Sequence, residues 1–584
     1  VDHFGWAGAV LHIDLTRRTT APLSIPKAVY RQSVGGRGMA GHFLAPHATR
    51  SWDDPRMPLL FFTGPLVNTP SPTSGRMCIM SRSPLTGTVG HTSVGGRLAT
   101  QLKRAGWDGI MVTGKSDRLT GIDIADGRCR LVDAQPLAGW SVPDTMTALD
   151  PRGSRLVVGP AGENGVRFAS LMVDAHYAAG RNGLGLAFAA KNLKYLKVVG
   201  TGKTAVADRG ELAAACADVN RLIAASPILM GELGITHFGT GALYDLMDNR
   251  KMMPTANFRA TRFAGAGRMN AWAYRQAYTP SHAGCSGCHI RCKQVTAAGQ
   301  AIPEFETMSH FSALLENTNL DAVMQANNVC NALGMDTISA AAALAAHAER
   351  RGRPLNPDEL LTALTDMAHG RGAIGELGRN DDAAGERSVQ HPLMDVKGLA
   401  LPAYDPRGAY GMALAYVTST RGGCHLQAYP IAHEILRKPV ATDRFSFDGK
   451  ARIIKIAEDA NAMADSLTTC KFVFLAASLE EYARVYAAVT GEAATGQDLL
   501  AAGERVVYRE RMMNARNGFD ACHDDLPERF FKECGSGAEG LHIPPIDRSA
   551  FLKAREKYYR IRGLTPGGRP TREKASALGL QWRD

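Results

Sequence analysis

No stretch of the 584-residue chain approaches the length of a membrane span, no five Lys or Arg stand together, and Val1-Asp-His-Phe-Gly5 lacks a charged-then-apolar export signal. These absences argue against a spanning helix and predict a cytoplasmic protein. The formal charge of +11 and pI near 9.1 come from Lys and Arg spread thinly, so no nucleic-acid partner is expected. A solvated basic surface is the plain reading, and docking of an acidic electron-transfer partner is the functional one. The 11 cysteines are an odd number scattered through a chain long enough to bury several cores, which speaks against a disulfide framework. A second Cys-x-x-Cys or His-x-x-x-His pair is missing. Gly180-Arg-Asn-Gly-Leu-Gly185 has neither P-loop nor dinucleotide spacing.

What is there is Cys285-Ser-Gly-Cys288-His-Ile-Arg-Cys292, and a lone Cys470 directly after Asp465-Ser-Leu-Thr-Thr469. Three thiolates spaced two and then three residues apart wrap three corners of a cube, and a distant fourth closes the last, as in [4Fe–4S] clusters. Structural zinc stays open as the alternative, weakened by the missing second ligand pair.

The pattern predicts an α+β protein: a β-rich domain over residues 1–208 and two mostly helical domains over 209–404 and 405–584. Ala9–Leu15, Leu59–Thr63, Gly109–Thr113 and Leu156–Val158 read as strands, the second and third stopped by Gly64-Pro65 and Gly114. Several glycine loops, among them Ser93-Val-Gly95-Gly96 and Gly180–Gly185 with Arg181, offer N–H groups and a guanidinium to a large phosphate-bearing ligand. Helices are expected over Glu211–Ala225, over Thr337–Arg351 with an N-cap at Asp336 or Thr337 and Gly352 beyond its end, and over Ala451–Leu467. Gly352–Glu359 and Gly378–Gly385 read as surface loops, and the two prolines of Leu401–Gly408 argue against a long helix there. No short-period repeat shows. Asn331-Ala-Leu-Gly-Met-Asp336 and Asp465–Cys470 echo each other faintly, each with a polar side chain beginning a six-residue turn after a helix.

Taken in order, Gly5-Trp6, Gly64-Pro65, Ser83–Gly87, Gly159–Asn164, Ala179-Gly-Arg181, the cysteine triplet, Leu401–Gly408, Arg421-Gly-Gly-Cys-His425 and Tyr558–Gly563 resemble the tungsten-containing aldehyde ferredoxin oxidoreductase family over the full length. The resemblance implies a β base with two helical domains closing over tungsten, or molybdenum in the same sulfur cage, bound by two pterin dithiolenes, and one [4Fe–4S] cluster beside it. It makes Cys285, Cys288, Cys292 and Cys470 the cluster ligands and Arg76 the cation between cluster and pterin. Ser93, where asparagine is usual, and Ala178 match positions that bind Mg²⁺ through backbone carbonyls, which bridges the pterin phosphates. Asn331, Met335 and Asp336 match the first pterin-cradling turn, and Asp465 and Thr469 the second. Asn331 stands where an aspartate is usual and keeps hydrogen bonding without charge. Tyr177 replaces a pterin-contacting arginine, with Arg181 near enough to supply a charge. Gln325-Ala-Asn-Asn328 stands where some members carry Glu-x-x-His on an inter-subunit iron, so that iron is expected to be absent, and any oligomer would form without it.

The same resemblance makes Glu306 a general base and His425 a hydrogen-bond donor to a substrate carbonyl, where sequence alone would leave His425 structural and Glu306 on the surface. Electrons would pass from an aldehyde through pterin and cluster to ferredoxin or a ferredoxin-like subunit. Two other functions stand beside this one: a catalytic subunit of the same build acting on a substrate such as an aromatic acyl thioester in a larger electron-transfer complex, and a non-catalytic iron–sulfur relay.

Overall fold

The structure is a computed structural model describing residues 3–379, 392–536 and 541–582. Val1, Asp2 and residues 380–385 of the expected loop lie outside the described residues. The other expected loop ends early, because Asn356 and Glu359 form a capping box that starts the helix Pro357–His369.

Two six-stranded mixed sheets form the base. The first contains β1 (Ala9–Asp14), β2 (Thr19–Ser24), β3 (Leu59–Phe62), β4 (Met77–Arg82), β5 (Val89–Val94) and β6 (Gly109–Thr113) in the order β2-β1-β6-β3-β4-β5. The second contains β7 (Thr120–Ala125), β8 (Arg128–Asp133), β9 (Ser154–Val158), β10 (Leu171–Val173), β11 (Tyr177–Ala179) and β12 (Leu193–Val199) in the order β11-β10-β9-β12-β7-β8. Reversing one list superimposes it on the other, and every pairing agrees in direction: β1 with β6 and β7 with β12 are parallel, and all other pairs are antiparallel. The base is an internal duplication, which sequence periodicity does not reveal.

Strand alternation sets the layers. Leu59 and Phe61 on β3 share a core with Leu156 and Val158 on β9, so these faces of the two sheets meet. Leu60 and Phe62 point the other way, into a core with Met463 and Leu467 of the helix Lys450–Leu467. The expected helices are found at Arg209–Ala224, Thr337–Arg351 and Lys450–Leu467, the second with Asp336 as N-cap and Gly352 as C-cap. Among the described residues no single helix is long and apolar enough to cross a membrane.

The duplicated strands end on matching glycines. Gly64 after β3 receives the Leu467 carbonyl so closely that a Cβ would lie 2.3 Å from that oxygen, and Gly159 after β9 receives the Leu333 carbonyl with a corresponding 2.4 Å. Only a residue without Cβ admits such an approach. Each sheet therefore seats the end of one helix, Lys450–Leu467 or Leu320–Leu333. A buried ion pair ties in the amino-terminal region: Arg37 reaches Glu510, 473 residues away, through two 2.7 Å hydrogen bonds, and Asp465 at 3.4 Å.

Gly159→Ala is expected to cost about 1–3 kcal/mol through overpacking, read as a lower melting temperature. Gly41→Ala, whose Cβ would meet nothing nearer than 3.8 Å, should be neutral or mildly stabilising. Arg37→Met leaves Glu510 buried without its partner and should cost about 3–5 kcal/mol. Adding Glu510→Leu should recover most of that loss in a double-mutant cycle.

Candidate active site

A short hairpin, β13 (Ser281–Ala283) with β14 (Lys293–Val295), closes the loop that carries the cysteine triplet. The Cys288 N–H donates to the Cys285 carbonyl at 3.1 Å, and Ser286 N–H to the Gly96 carbonyl at 3.3 Å, which docks the loop on the first sheet. A Cβ on Gly95 would lie 2.4 Å from Cys285 Sγ. Cys470 arrives from the other side, its N–H donating to the Thr73 carbonyl at 3.0 Å. Arg76 lies between: its guanidinium donates to Ser93 Oγ at 2.8 Å and to the Ser93 carbonyl at 2.5 Å. Burial works against the Arg76 charge, and the fields of Cys470, Cys285, Asp465 and Cys292 outweigh it. Cys288 feels Cys470 and Cys285 in turn, after burial, as upward pushes on its thiol. The four thiols therefore lie within electrostatic reach of one another. Among the described residues no three His, Cys, Asp or Glu side chains converge closely enough to hold one metal ion.

The two echoing turns are equivalent in backbone. Gly334 and Thr468 are both left-handed C-caps, and the next N–H, of Met335 or Thr469, donates back to the Cys330 or Ala464 carbonyl at 2.8 or 2.9 Å. One expectation needs correction: Asn331 and Asp465 do not begin turns after the helices but sit in their last turns. There they are one residue beyond the carbonyls that accept the closing bonds, so their side chains leave from the helix end. Asp465 Oδ2 meets Lys471 at 2.8 Å, and its Oδ1 is buried without a hydrogen bond. Thr469 Oγ1 bonds Thr73 Oγ1 at 2.8 Å. Asp336 caps the helix Thr337–Arg351 and lies 3.7 Å from Arg181 Nε. Ser93 pairs with Cys78 and Ala178 with Met172, so the two occupy equivalent places in the duplicated strands. Tyr177 lies against Gly95 and Gly96, with Lys293 Nζ 6.0 Å from its ring centre.

Glu306, in the first turn of the helix Phe305–Phe311, faces His425: Oε1 is 3.4 Å from Nε2. Its Oε2 accepts the Ala403 N–H at 2.7 Å, so the proline-interrupted Leu401–Gly408 segment aims the carboxyl. Burial pushes Glu306 up to about 8, against the Ala403 N–H and Arg181, with Cys424 and Asp336 adding to the rise. His425 is driven well below the ordinary imidazole value by burial, then by Arg181, Arg421, Lys471 and His310. At neutral pH the pair is therefore a carboxylic acid facing a neutral ring, and its attraction is a polar contact instead of an ion pair. Tyr404 stacks obliquely 5.5 Å from His425 and 5.4 Å from Phe305, and its hydroxyl meets that of Tyr429 at 3.0 Å.

Several participants went unseen in the sequence. Arg421 folds back onto Cys424, its Nε and Nη2 at 3.2 and 2.8 Å from Sγ, and the Leu426 N–H adds a third donor at 3.2 Å. Burial alone would raise this thiol, but Arg421, Arg181 and the Leu426 N–H bring it below its ordinary value. The signal was the Arg-x-x-Cys spacing, which lets a guanidinium reach back to a thiol. His310, one turn beyond Glu306, is held down to about 4, chiefly by burial. Glu306 Oε1, His425 Nδ1, His310 Nδ1, Arg181 Nε and Asp465 Oδ1 are all buried without hydrogen bonds. Buried polar atoms are ordinarily satisfied, and Arg181 bears electrostatically on Glu306, His310, Cys424 and His425. Unmet donors and acceptors of both kinds, four of them within reach of or on Arg181 and one on the helix end at Asp465, fit a polar heterocyclic ligand such as a pterin.

Residues 10–200 match the family model "Aldehyde ferredoxin oxidoreductase, N-terminal domain", and residues 214–580 match "Aldehyde ferredoxin oxidoreductase, domains 2 & 3". The tungsten-containing aldehyde ferredoxin oxidoreductases of Pyrococcus abyssi and Pyrococcus furiosus are each 32% identical, over 99% of this chain and 99% of theirs. The WOR-like subunit of an aliphatic sulfonate oxidoreductase from Pyrococcus furiosus is 23% identical over 99% of the chain and 97% of its own. The solved BamBC active-site complex of benzoyl coenzyme A reductase with 1,5-dienoyl-CoA shares the fold at a TM-score of 0.84 and 19% identity, covering 99% of this chain and 98% of that one. With both halves matched and the full length aligned, the chain belongs to the aldehyde ferredoxin oxidoreductase family and is an oxidoreductase.

Proposed function

We propose that the protein oxidises aldehydes to carboxylic acids at a tungsten or molybdenum bis-pterin and sends the electrons through a [4Fe–4S] cluster to ferredoxin or a ferredoxin-like subunit, in the reducing cytoplasm. The observation that carries this reading is the Glu306–His425 contact beside unmet polar atoms. The cofactor supplies the two-electron redox change when bound, and the protein aims the substrate and moves protons. Asn331, Met335 and Asp336 would hold one pterin and Asp465 and Thr469 the other. Mg²⁺ between the pterin phosphates would take the carbonyls of Ser93 and Ala178, the first of which already accepts from Arg76. Cys285, Cys288, Cys292 and Cys470 would hold the cluster.

Oxidation requires a base for the proton of water or of the hydrated aldehyde. Glu306 does this work once deprotonated, and its raised pKa matches it to neutral or mildly alkaline conditions. His425 Nδ1, left without a protein partner, is the ring atom available to the carbonyl oxygen, where negative charge gathers; it donates there once Glu306 has taken up its proton and turns that acid O–H to the Nε2 lone pair, which leaves the single ring proton on Nδ1. A neutral ring suits that task, because donating to the oxygen leaves no cation buried. Tyr404 stands against His425, and Phe305 against Tyr404, so aromatic rings wall the pair on that side. A non-catalytic relay is set aside by family membership and has no use for this acid–ring pair.

The sign of the pH dependence follows from the base form. Aldehyde oxidation with benzyl viologen should rise as pH passes about 8. Glu306→Gln should lower it by about 10²–10⁴-fold and flatten that rise while metal and iron contents hold. Near-normal turnover in this variant would remove Glu306 from the chemistry. Elemental analysis of the purified protein should find close to one tungsten or molybdenum with about four iron atoms per chain; iron without the heavy metal would count against the reading. An aldehyde screen against acyl thioesters separates this reading from the thioester one.

A further inference from the structure

Between Asp248 and Glu304 the chain carries eight Lys or Arg and not one Asp or Glu, and this one-signed stretch contains the cysteine triplet. Within it the helix Ala271–Tyr278 puts Trp272 and Arg275 on one exposed face. Trp272 is 50% exposed. Its ring rests on Phe238 with centres 4.7 Å apart, and the Arg275 guanidinium lies 5.2 Å from the same Phe238 ring. The next residue, Gly239, abuts the triplet: a Cβ there would lie 2.9 Å from the Cys292 carbonyl. One indole, one phenyl ring and one glycine thus lead from solvent to Cys292 of the triplet. Leu233, in the turn before the helix Ile235–Phe238, is 70% exposed, and Arg268 and Arg291 are exposed as well. Arg291 donates to the His282 carbonyl at 2.7 Å, and the His282 ring lies 6.4 Å from that of His237. The exposed Glu232 beside Leu233 is the acidic residue nearest in sequence to this apolar pair.

We propose that this face is the docking site of the electron acceptor, an acidic iron–sulfur protein whose apolar centre covers Trp272 and Leu233 and whose carboxylates meet Arg275, Arg268 and Arg291. The proposal rests on the cluster wiring given under Proposed function. A solvated basic surface has no need of an exposed indole, whereas interfaces concentrate Trp and Arg at their centres. A mainly cationic rim, with Glu232 its nearby exception, steers an acidic partner toward the loop that carries the triplet. Each docking moves one electron from the enzyme's cluster to the partner's, so two carriers are reduced per aldehyde while the protons leave to solvent.

The test uses the cofactor-loaded enzyme, an aldehyde, and two acceptors: an acidic [4Fe–4S] ferredoxin and benzyl viologen. Trp272→Ala and Arg275→Glu are each expected to raise the KM for ferredoxin at least about tenfold and to leave viologen turnover unchanged, which also certifies folding. Trp140→Ala, at an exposed indole on the base domain, should alter neither. Ferredoxin KM should climb with salt in the wild type and less steeply in Arg275→Glu. Calorimetric titration with ferredoxin reads the face without substrate, so a failed aldehyde assay would sink the functional reading alone. Unchanged ferredoxin affinity in both variants would overturn the proposal. A change of oligomeric state at constant ferredoxin KM would overturn it too, by making the face an interface between copies of the chain.

Discussion

Two helix ends press their last carbonyls onto glycines that have no side chain to obstruct them, and the rest of the site depends on that approach. Leu467 meets Gly64 and Leu333 meets Gly159, each at the end of an equivalent strand in a duplicated sheet. The duplication supplies two matching seats, one at the end of each equivalent strand. The residues that follow the closing bonds then break the symmetry. After Met335 comes Asp336, set against Arg181 and, through it, the Glu306–His425 pair. After Thr469 comes Cys470, set against Arg76 and the cysteine triplet. One backbone device, used twice, puts acid–base groups beside one turn and thiols beside the other.

The charges beside these two turns are unusual for a protein interior. Arg37 meets Asp465 and Glu510, Lys471 meets Asp465, Arg181 faces Asp336, Arg421 donates to the Cys424 sulfur and lowers its thiol against burial, and Arg76 sits among the fields of the cysteines. Buried ion pairs contribute little net stability, yet breaking one leaves a costly orphan. Such pairs hold donors in place, and an excess of guanidinium and ammonium groups suits a ligand that brings phosphates and sulfur anions. Glu306 sits inside the same field. Desolvation and the nearby anions outweigh Arg181, and the carboxyl is left titrating where a base is useful.

Much of this was legible in the sequence for local reasons. The cysteine triplet announces itself by spacing alone, and the strand at β3 by four consecutive apolar residues stopped at Gly-Pro. The helix Thr337–Arg351 is marked by Asp336 before it and Gly352 after it. What stayed hidden depends on distance along the chain. The duplication leaves no repeat because alternation asks only for apolar residues at every second place, which unrelated sequences satisfy. Arg37 and Glu510 are 473 residues apart, so no window joins them. Cys424 looked like one cysteine among 11 until Arg421 was seen to fold onto it. The thin overall spread of Lys and Arg hid a local fact, the stretch around the triplet that carries one sign only.

The central claim is that thiols from both helical regions bound a single cluster next to the second turn. Electron paramagnetic resonance of the dithionite-reduced protein, with iron analysis, compares wild type with Cys470→Ala most directly. The account predicts a reduced [4Fe–4S] signal and about four iron atoms per chain in the wild type, and loss of that signal with fewer iron atoms in the variant. An intact four-iron spectrum in Cys470→Ala would contradict it.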